Sequence, residues 1–247
     1  MSVLLLAFIV VATGAEVSSS SVPRVANVSN VMPHVDAKTG AIMDLHDGNT
    51  LLINGTFFWY GAGYGECVEQ ATGCQSSQVG ACGFQLNHTV NLATSTDLVH
   101  WTFHGTVYSP SDRPYGILFS PWVAQSKTTN MYVLWTNILP VTGGHGDFDA
   151  SRYTVAVSPT PFGPFKTVVA NVTGIMYNRL PDAASVFVDD DGKAYLAFTH
   201  EDTHINNVQE LTPDLLGPLP NGSLSQQIGP SNNEGIKLFL FRLKLFS

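Results

Sequence analysis

Apolar and polar positions along this chain alternate in short runs, and the runs are punctuated by turn-forming pairs. Leu51-Leu-Ile-Asn-Gly-Thr-Phe-Phe-Trp-Tyr60 reads as a strand, an Asn-Gly turn and an aromatic strand. Asn-Gly between apolar runs is a strong hairpin signal, because a type I′ turn needs positive φ at both central positions. Lys127-Thr-Thr-Asn-Met-Tyr-Val-Leu-Trp135 repeats the turn followed by an aromatic strand, and Val186-Phe-Val-Asp-Asp-Asp-Gly-Lys-Ala-Tyr-Leu-Ala-Phe198 repeats it with Asp-Gly. A second element follows each hairpin. Leu92–Phe103 and Tyr153–Phe165 run strand, turn, aromatic, and Val208–Leu216 is a weaker third copy. The units recur about every sixty to seventy residues, and four short strands per repeat is the signature of propeller blades. A β-sandwich would space its strands more closely and evenly. No amphipathic helix longer than about two turns is expected.

Composition narrows the class. The chain has 247 residues, of which 44% are hydrophobic and 12% charged, which is too apolar for a disordered chain. That length allows one large domain or two small ones. A formal net charge of −8 argues against a nucleic-acid partner, which requires a basic footprint. Gly 22 and Pro 14 fit a turn-rich architecture.

Met1–Ala15 is an apolar run closing in small residues, too short to span a bilayer comfortably, and reads as a secretory signal peptide cut after Ala15. Residues 16–32 are expected to be a linker, and 33–247 the folded domain. Asn27, Asn54, Asn87, Asn171 and Asn221 each open an N-x-S/T sequon, in keeping with a secreted, extracellular glycoprotein. No other long apolar run exists, so the mature chain is expected to be free of the membrane, and to act as a monomer. Cys67, Cys74 and Cys82 lie in one Gly/Gln/Ser-rich loop; in an oxidising compartment two would pair and one would be left over. A zinc site is the alternative, although the spacing is not C-x₂-C.

Together, in order and at blade spacing, several segments resemble glycoside hydrolase family 43. They are Asn54-Gly-Thr-Phe-Phe-Trp-Tyr-Gly61, Ser95-Thr-Asp-Leu-Val-His-Trp101, Ser158 with Gly163-Pro-Phe165, and Asp182-Ala-Ala-Ser-Val-Phe-Val-Asp-Asp-Asp-Gly-Lys-Ala-Tyr195. The likeness covers roughly residues 33–240 and is strongest to the galactan-acting, exo-β-1,3-galactanase-like branch. It implies an all-β, five-bladed propeller with a central sugar pocket and an inverting mechanism. Inversion needs two separated carboxyls, one protonating the leaving oxygen and one activating water on the opposite face. The resemblance makes Glu234 the general acid and Asp182 the residue that modulates its pKa. From the residues alone, Asp182 is a turn-capping Asp after Pro181, and Glu234 a loop residue. Asp36 lies near the place of the family's base, with a turn-forming role as the alternative, and Asp47 is a second candidate.

The family likeness also marks sugar contacts. His46 matches a first-blade histidine near the pocket, with a satisfied core or turn histidine as the alternative. Ala62 stands where relatives carry a sugar-contacting Glu, which leaves Glu66 or Glu69 as a displaced substitute. Arg113-Pro114 matches a family pair able to hold a sugar hydroxyl or carboxylate. Trp59, Tyr60 and Trp122 are either stacking platforms or blade core. Asp189-Asp-Asp-Gly192 lacks the downstream Glu of a calcium loop and reads as a hairpin turn, so neither metal nor cofactor is expected. Gly143-Gly-His-Gly-Asp147 reads as a flexible loop, with His145 reaching the pocket as the alternative.

Repeat arithmetic allows about three blades and the start of a fourth, and after Phe239 the expected Asn-Gly turn is absent, so a C-terminally truncated propeller is expected. The competing functions are a non-catalytic carbohydrate-binding propeller and a purely structural one.

Overall fold

A computed structural model describes residues 32–66, 77–81, 83–175, 181–200 and 204–225. The strands in chain order are β1 (His46–Ile53), β2 (Thr56–Gly63), β3 (Thr89–Ser95), β4 (Thr102–Tyr108), β5 (Ile117–Gln125), β6 (Tyr132–Leu139), β7 (Val141–Thr142), β8 (His145–Gly146), β9 (Arg152–Ser158), β10 (Lys166–Val169), β11 (Pro181–Val188), β12 (Ala194–His200), β13 (Asn206–Leu211) and β14 (Leu224–Ser225). They form three four-stranded antiparallel sheets, ordered β1-β2-β3-β4, β5-β6-β9-β10 and β11-β12-β13-β14. Strand β5 neighbours β1 on one side and β11 on the other, so the first strand of each sheet is its innermost. Among the described residues the only helices are two three-residue 3₁₀ turns, Pro110–Asp112 and Phe148–Ala150.

The turn chemistry explains the hairpins. Asn54 and Gly55 have φ of 49° and 79°, the left-handed pair that a type I′ turn demands, and Ile53 pairs with Thr56 across them. Asp189–Lys193 closes the β11–β12 hairpin, with Lys193 accepting from the Asp189 N–H and Gly192 at φ 89°. The third strand of each sheet ends in a hydroxyl-capped turn. The Ser95 Oγ accepts from the N–H groups of Asp97 and Leu98, the Ser158 Oγ accepts from the Thr160 N–H, and the Thr212 hydroxyl donates to Asp214. Short side chains that bond neighbouring backbone favour turns over continued strand. The stretch 143–147, expected to be a flexible loop, instead contains β8 of the small β7–β8 hairpin. Its His145 pairs with Gln78 of the β2–β3 connection.

The middle sheet is covered on both faces, and β6 is buried along its whole length. Alternation sends Tyr132, Leu134 and Ile138 toward Phe58, Tyr60, Val90 and Leu92 of the first sheet. It sends Val133 and Trp135 toward Val186, Leu196 and Phe198 of the third. Tyr60, Tyr108, Trp135, Tyr153, Phe165 and Phe198 are fully buried, each worth about 1.5–3 kcal/mol of transfer free energy. Their polar ends are satisfied: the Tyr60 hydroxyl donates to the Pro161 carbonyl at 2.6 Å and the Trp135 indole N–H to Leu215 at 2.9 Å.

Candidate active site at the rim of the innermost strands

Each innermost strand carries one extra residue near its N-terminal end. In β1 the pairing steps from His46↔Ala62 to Asn49↔Tyr60, in β5 from Phe119↔Asn137 to Trp122↔Trp135, and in β11 from Pro181↔His200 to Ala184↔Phe198. The bulged pairs are therefore Asp47-Gly48, Ser120-Pro121 and Asp182-Ala183. Asp47, Ser120 and Asp182 occupy the same register position in the three sheets. Bulges re-aim side chains and cluster at active sites. Local chemistry accommodates them: Asp47, Gly48 and Ser120 have φ of 53°, 78° and 47°. A Cβ on Gly48 would lie 2.0 Å from the Tyr60 carbonyl oxygen, so only glycine fits. Pro121 has no N–H to lose from a ladder, and a bulge is one of the few places a strand tolerates it.

The residue after each of the first two bulges ties its strand to the next sheet. The Asn49 amide donates to the Val123 carbonyl at 2.8 Å and accepts from the Val123 N–H at 2.9 Å. The Trp122 indole N–H donates to the Val186 carbonyl at 2.8 Å.

Beside the β1 bulge, a column of rings rises against the first sheet. His46 stacks on Tyr64 with centroids 4.4 Å apart and planes 4° from parallel, and Tyr64 stacks on His88 at 4.4 Å and 20°. Phe119 closes the column edge-on. Asp44 holds it from below. One carboxylate oxygen accepts from the Tyr64 N–H at 3.0 Å and lies 3.1 Å from His46 Nε2, and the other accepts from the Gly65 N–H at 2.8 Å. The Tyr64 hydroxyl donates to Asp47 at 3.0 Å, fixing the bulge carboxylate at the rim. Burial first, and then the Asp47 charge, hold the Tyr64 phenol in its neutral, donating form.

His88 is fully buried. Its Nδ1 lies 2.9 Å from the Leu118 carbonyl, which can only accept, and its Nε2 accepts from the Gln85 N–H. That pair of partners selects the neutral Nδ1–H tautomer, and burial lowers the pKa below its ordinary value.

No protein-family model matches the chain, and no curated protein does. Solved structures do. A β-1,3-galactosidase described as GH43 superposes with a TM-score of 0.60 at 22% identity, covering 80% of this chain and 38% of that one. An exo-β-1,3-galactanase from Clostridium thermocellum superposes at 0.59 and 26% identity, covering 78% and 39%. An exo-β-1,3-galactanase from Phanerochaete chrysosporium, solved with β-1,3-galactotriose, superposes at 0.56 and 19%, covering 79% and 41%. The chain has the fold of glycoside hydrolase family 43. It spans about two-fifths of the length of these three structures.

Several residues singled out by the family 43 resemblance have packing or hydrogen-bonding partners of their own. Asp36 is a turn residue at the outer edge of the first sheet: one oxygen accepts from the N–H groups of Lys38 and Thr39, and the other from Phe103 at the start of β4. These backbone donors, Thr39 foremost, lower its pKa. Arg113 turns inward. Nη1 donates to the carbonyls of Pro114 and Gly116, and Nη2 to those of Leu86 and His88, so these amino groups are committed to backbone rather than to a sugar. Burial lowers its pKa to about 10. Trp59 faces away from the second sheet, edge-on to Trp101 and His34, and Trp122 packs against the core between the second and third sheets.

His46 and Asp47 open β1, and Glu66 is exposed in the loop after Tyr64. Ala62 is fully buried opposite His46. Asp182 stands in the β11 bulge, and Glu234, Glu69 and the three cysteines lie outside the described residues. Asp44, Tyr64 and His88 belong to the column beside the β1 bulge, and sequence reasoning did not single them out. Asp44 sits in an apolar run, and its three partners come from 46 and 64–65; only the β1–β2 register brings them together.

Proposed function

We propose that this chain carries the carboxylates of a secreted glycoside hydrolase acting on galactan- or arabinan-type polysaccharide with inversion. One observation carries the reading: two aspartates, Asp47 and Asp182, recur at the same bulge position of innermost strands, in a fold shared with exo-β-1,3-galactanases. Asp47 takes the place of Asp36 as the base that activates water, Glu234 is the general acid, and Asp182 raises the acid's pKa so that it keeps its proton at working pH. Attack of water on the anomeric carbon sends its proton to Asp47, while the leaving oxygen takes the proton of Glu234. The three described sheets are three of five blades in this reading. Secretion is supported by the apolar Met1–Ala15 segment and by the exposure of Asn54, Asn87, Asn171 and Asn221 at four sequons.

Incubating the protein with β-1,3-galactan while following the anomeric protons by NMR tests this. The account expects α-galactose as the first product and at least about a 10²-fold loss in Glu234→Gln. Release of β-galactose first, or full activity in that variant, contradicts it. Buried Ala62 opposite His46 favours a second reading, a sugar-binding propeller without turnover, because it removes a carboxylate from the rim. Binding of galactan oligosaccharides with no reducing sugar released selects that alternative.

A further inference from the structure

Arg113 is an unusual use of a guanidinium. It is buried, its Nη1 grips the carbonyls of Pro114 and Gly116 on either side of Tyr115, and Tyr115 itself is 68% exposed. The backbone beneath is wedged: a Cβ on Gly116, at φ 146°, would lie 2.5 Å from the Leu139 carbonyl oxygen and 2.7 Å from Ile138 Cγ2. The same guanidinium donates through Nη2 to the carbonyl of His88, the base of the His46–Tyr64–His88 column. Immediately after Gly116 begins β5, whose bulge lies between those of β1 and β11 in chain order. A large apolar ring is thus presented to solvent on a segment clamped from inside, at the N-terminal end of the middle innermost strand and tied to the rim column.

We propose that Tyr115 is a stacking platform for a sugar ring of the oligosaccharide, in a subsite beside the carboxylate rim. This rests on the saccharide reading of that rim. The chemistry suits galactose: its axial O4 leaves H3, H4 and H5 together on one face, an apolar patch that packs on an aromatic ring. Clamping the backbone in advance lowers the ordering cost that a mobile loop would incur on binding. Arg113 is the positioning residue, and the ring is the contact.

Binding of β-1,3-galactotriose to the full chain by calorimetry, with NMR of the tyrosine ring protons, is the test. Because the ring is exposed, Tyr115→Ala leaves the core intact. The proposal expects that variant to bind about tenfold more weakly, Tyr115→Phe within about twofold of wild type, and the Tyr115 ring protons to shift on titration. Equal affinity in wild type and Tyr115→Ala overturns the proposal while leaving the saccharide reading intact. A Tyr115→Phe loss as large as that of alanine also overturns it, because the hydroxyl rather than the ring face would then make the contact. If wild type binds no galactotriose, the saccharide reading fails and the proposal with it.

Discussion

Replacing Asn49 with alanine isolates the joint between the first two sheets. The Asn49 amide forms a two-bond ring with the backbone of Val123, a residue with no exposed surface. Alanine leaves the Val123 N–H and carbonyl without these partners, at about 1–3 kcal/mol for each unsatisfied buried group. The sum, reduced for partial relaxation, is about 2–4 kcal/mol. Urea unfolding reads this as a drop in midpoint of about 1–2 M, for a slope of about 2 kcal/mol/M. Asn49→Asp is expected to cost at least as much. It still accepts from the Val123 N–H, but it sets a carboxylate oxygen against the Val123 carbonyl where a donor stood. Thr50→Ala, a neighbour on the exposed side of β1, is the control and is expected to change stability by less than about 0.5 kcal/mol. A loss below about 0.5 kcal/mol in Asn49→Ala would refute the view that this amide couples the sheets.

Two further outcomes follow from the site. The buried imidazole of His88 has a pKa lowered from 6.5, so the unfolded chain takes up this proton first as pH falls. Its contribution is flat above about pH 6.5 and turns against folding below it. The melting temperature of wild type is therefore expected to fall more steeply than that of His88→Gln between about pH 7 and about pH 5, and parallel curves would contradict this. Arg113→Lys keeps the charge but cannot reach four carbonyls in a fork. A destabilisation of about 2–4 kcal/mol by urea unfolding is expected, and one under about 0.5 kcal/mol would contradict the clamping role.

The hairpins were legible because their signals are local. Asn54-Gly55 and Asp191-Gly192 announce their turns by conformational demand alone, and the blade repeat follows from their spacing. The bulges were not legible, because an extra residue is defined only against a partner strand. Asp47 and Asp182 are 135 positions apart and look unrelated until the registers of β1 and β11 are compared. The turn role of Asp36 was hidden for the same reason: a carboxylate in a turn reads alike as base or as turn cap, and its bond from the Phe103 N–H is a long-range contact. Arg113 and the two tryptophans show the complementary limit. Residue type fixes what a guanidinium or an indole can do, while the direction in which it points is a property of packing.

In the proposed function the first-sheet base is the bulge residue Asp47 and not Asp36. Comparing Asp47→Asn with Asp36→Asn for galactose release from β-1,3-galactan tests it most directly. The account predicts a loss of at least about 10²-fold in kcat for Asp47→Asn. It predicts near wild-type kcat with a lowered melting temperature for Asp36→Asn. The reverse order, with Asp36→Asn inactive and Asp47→Asn unimpaired, would contradict it.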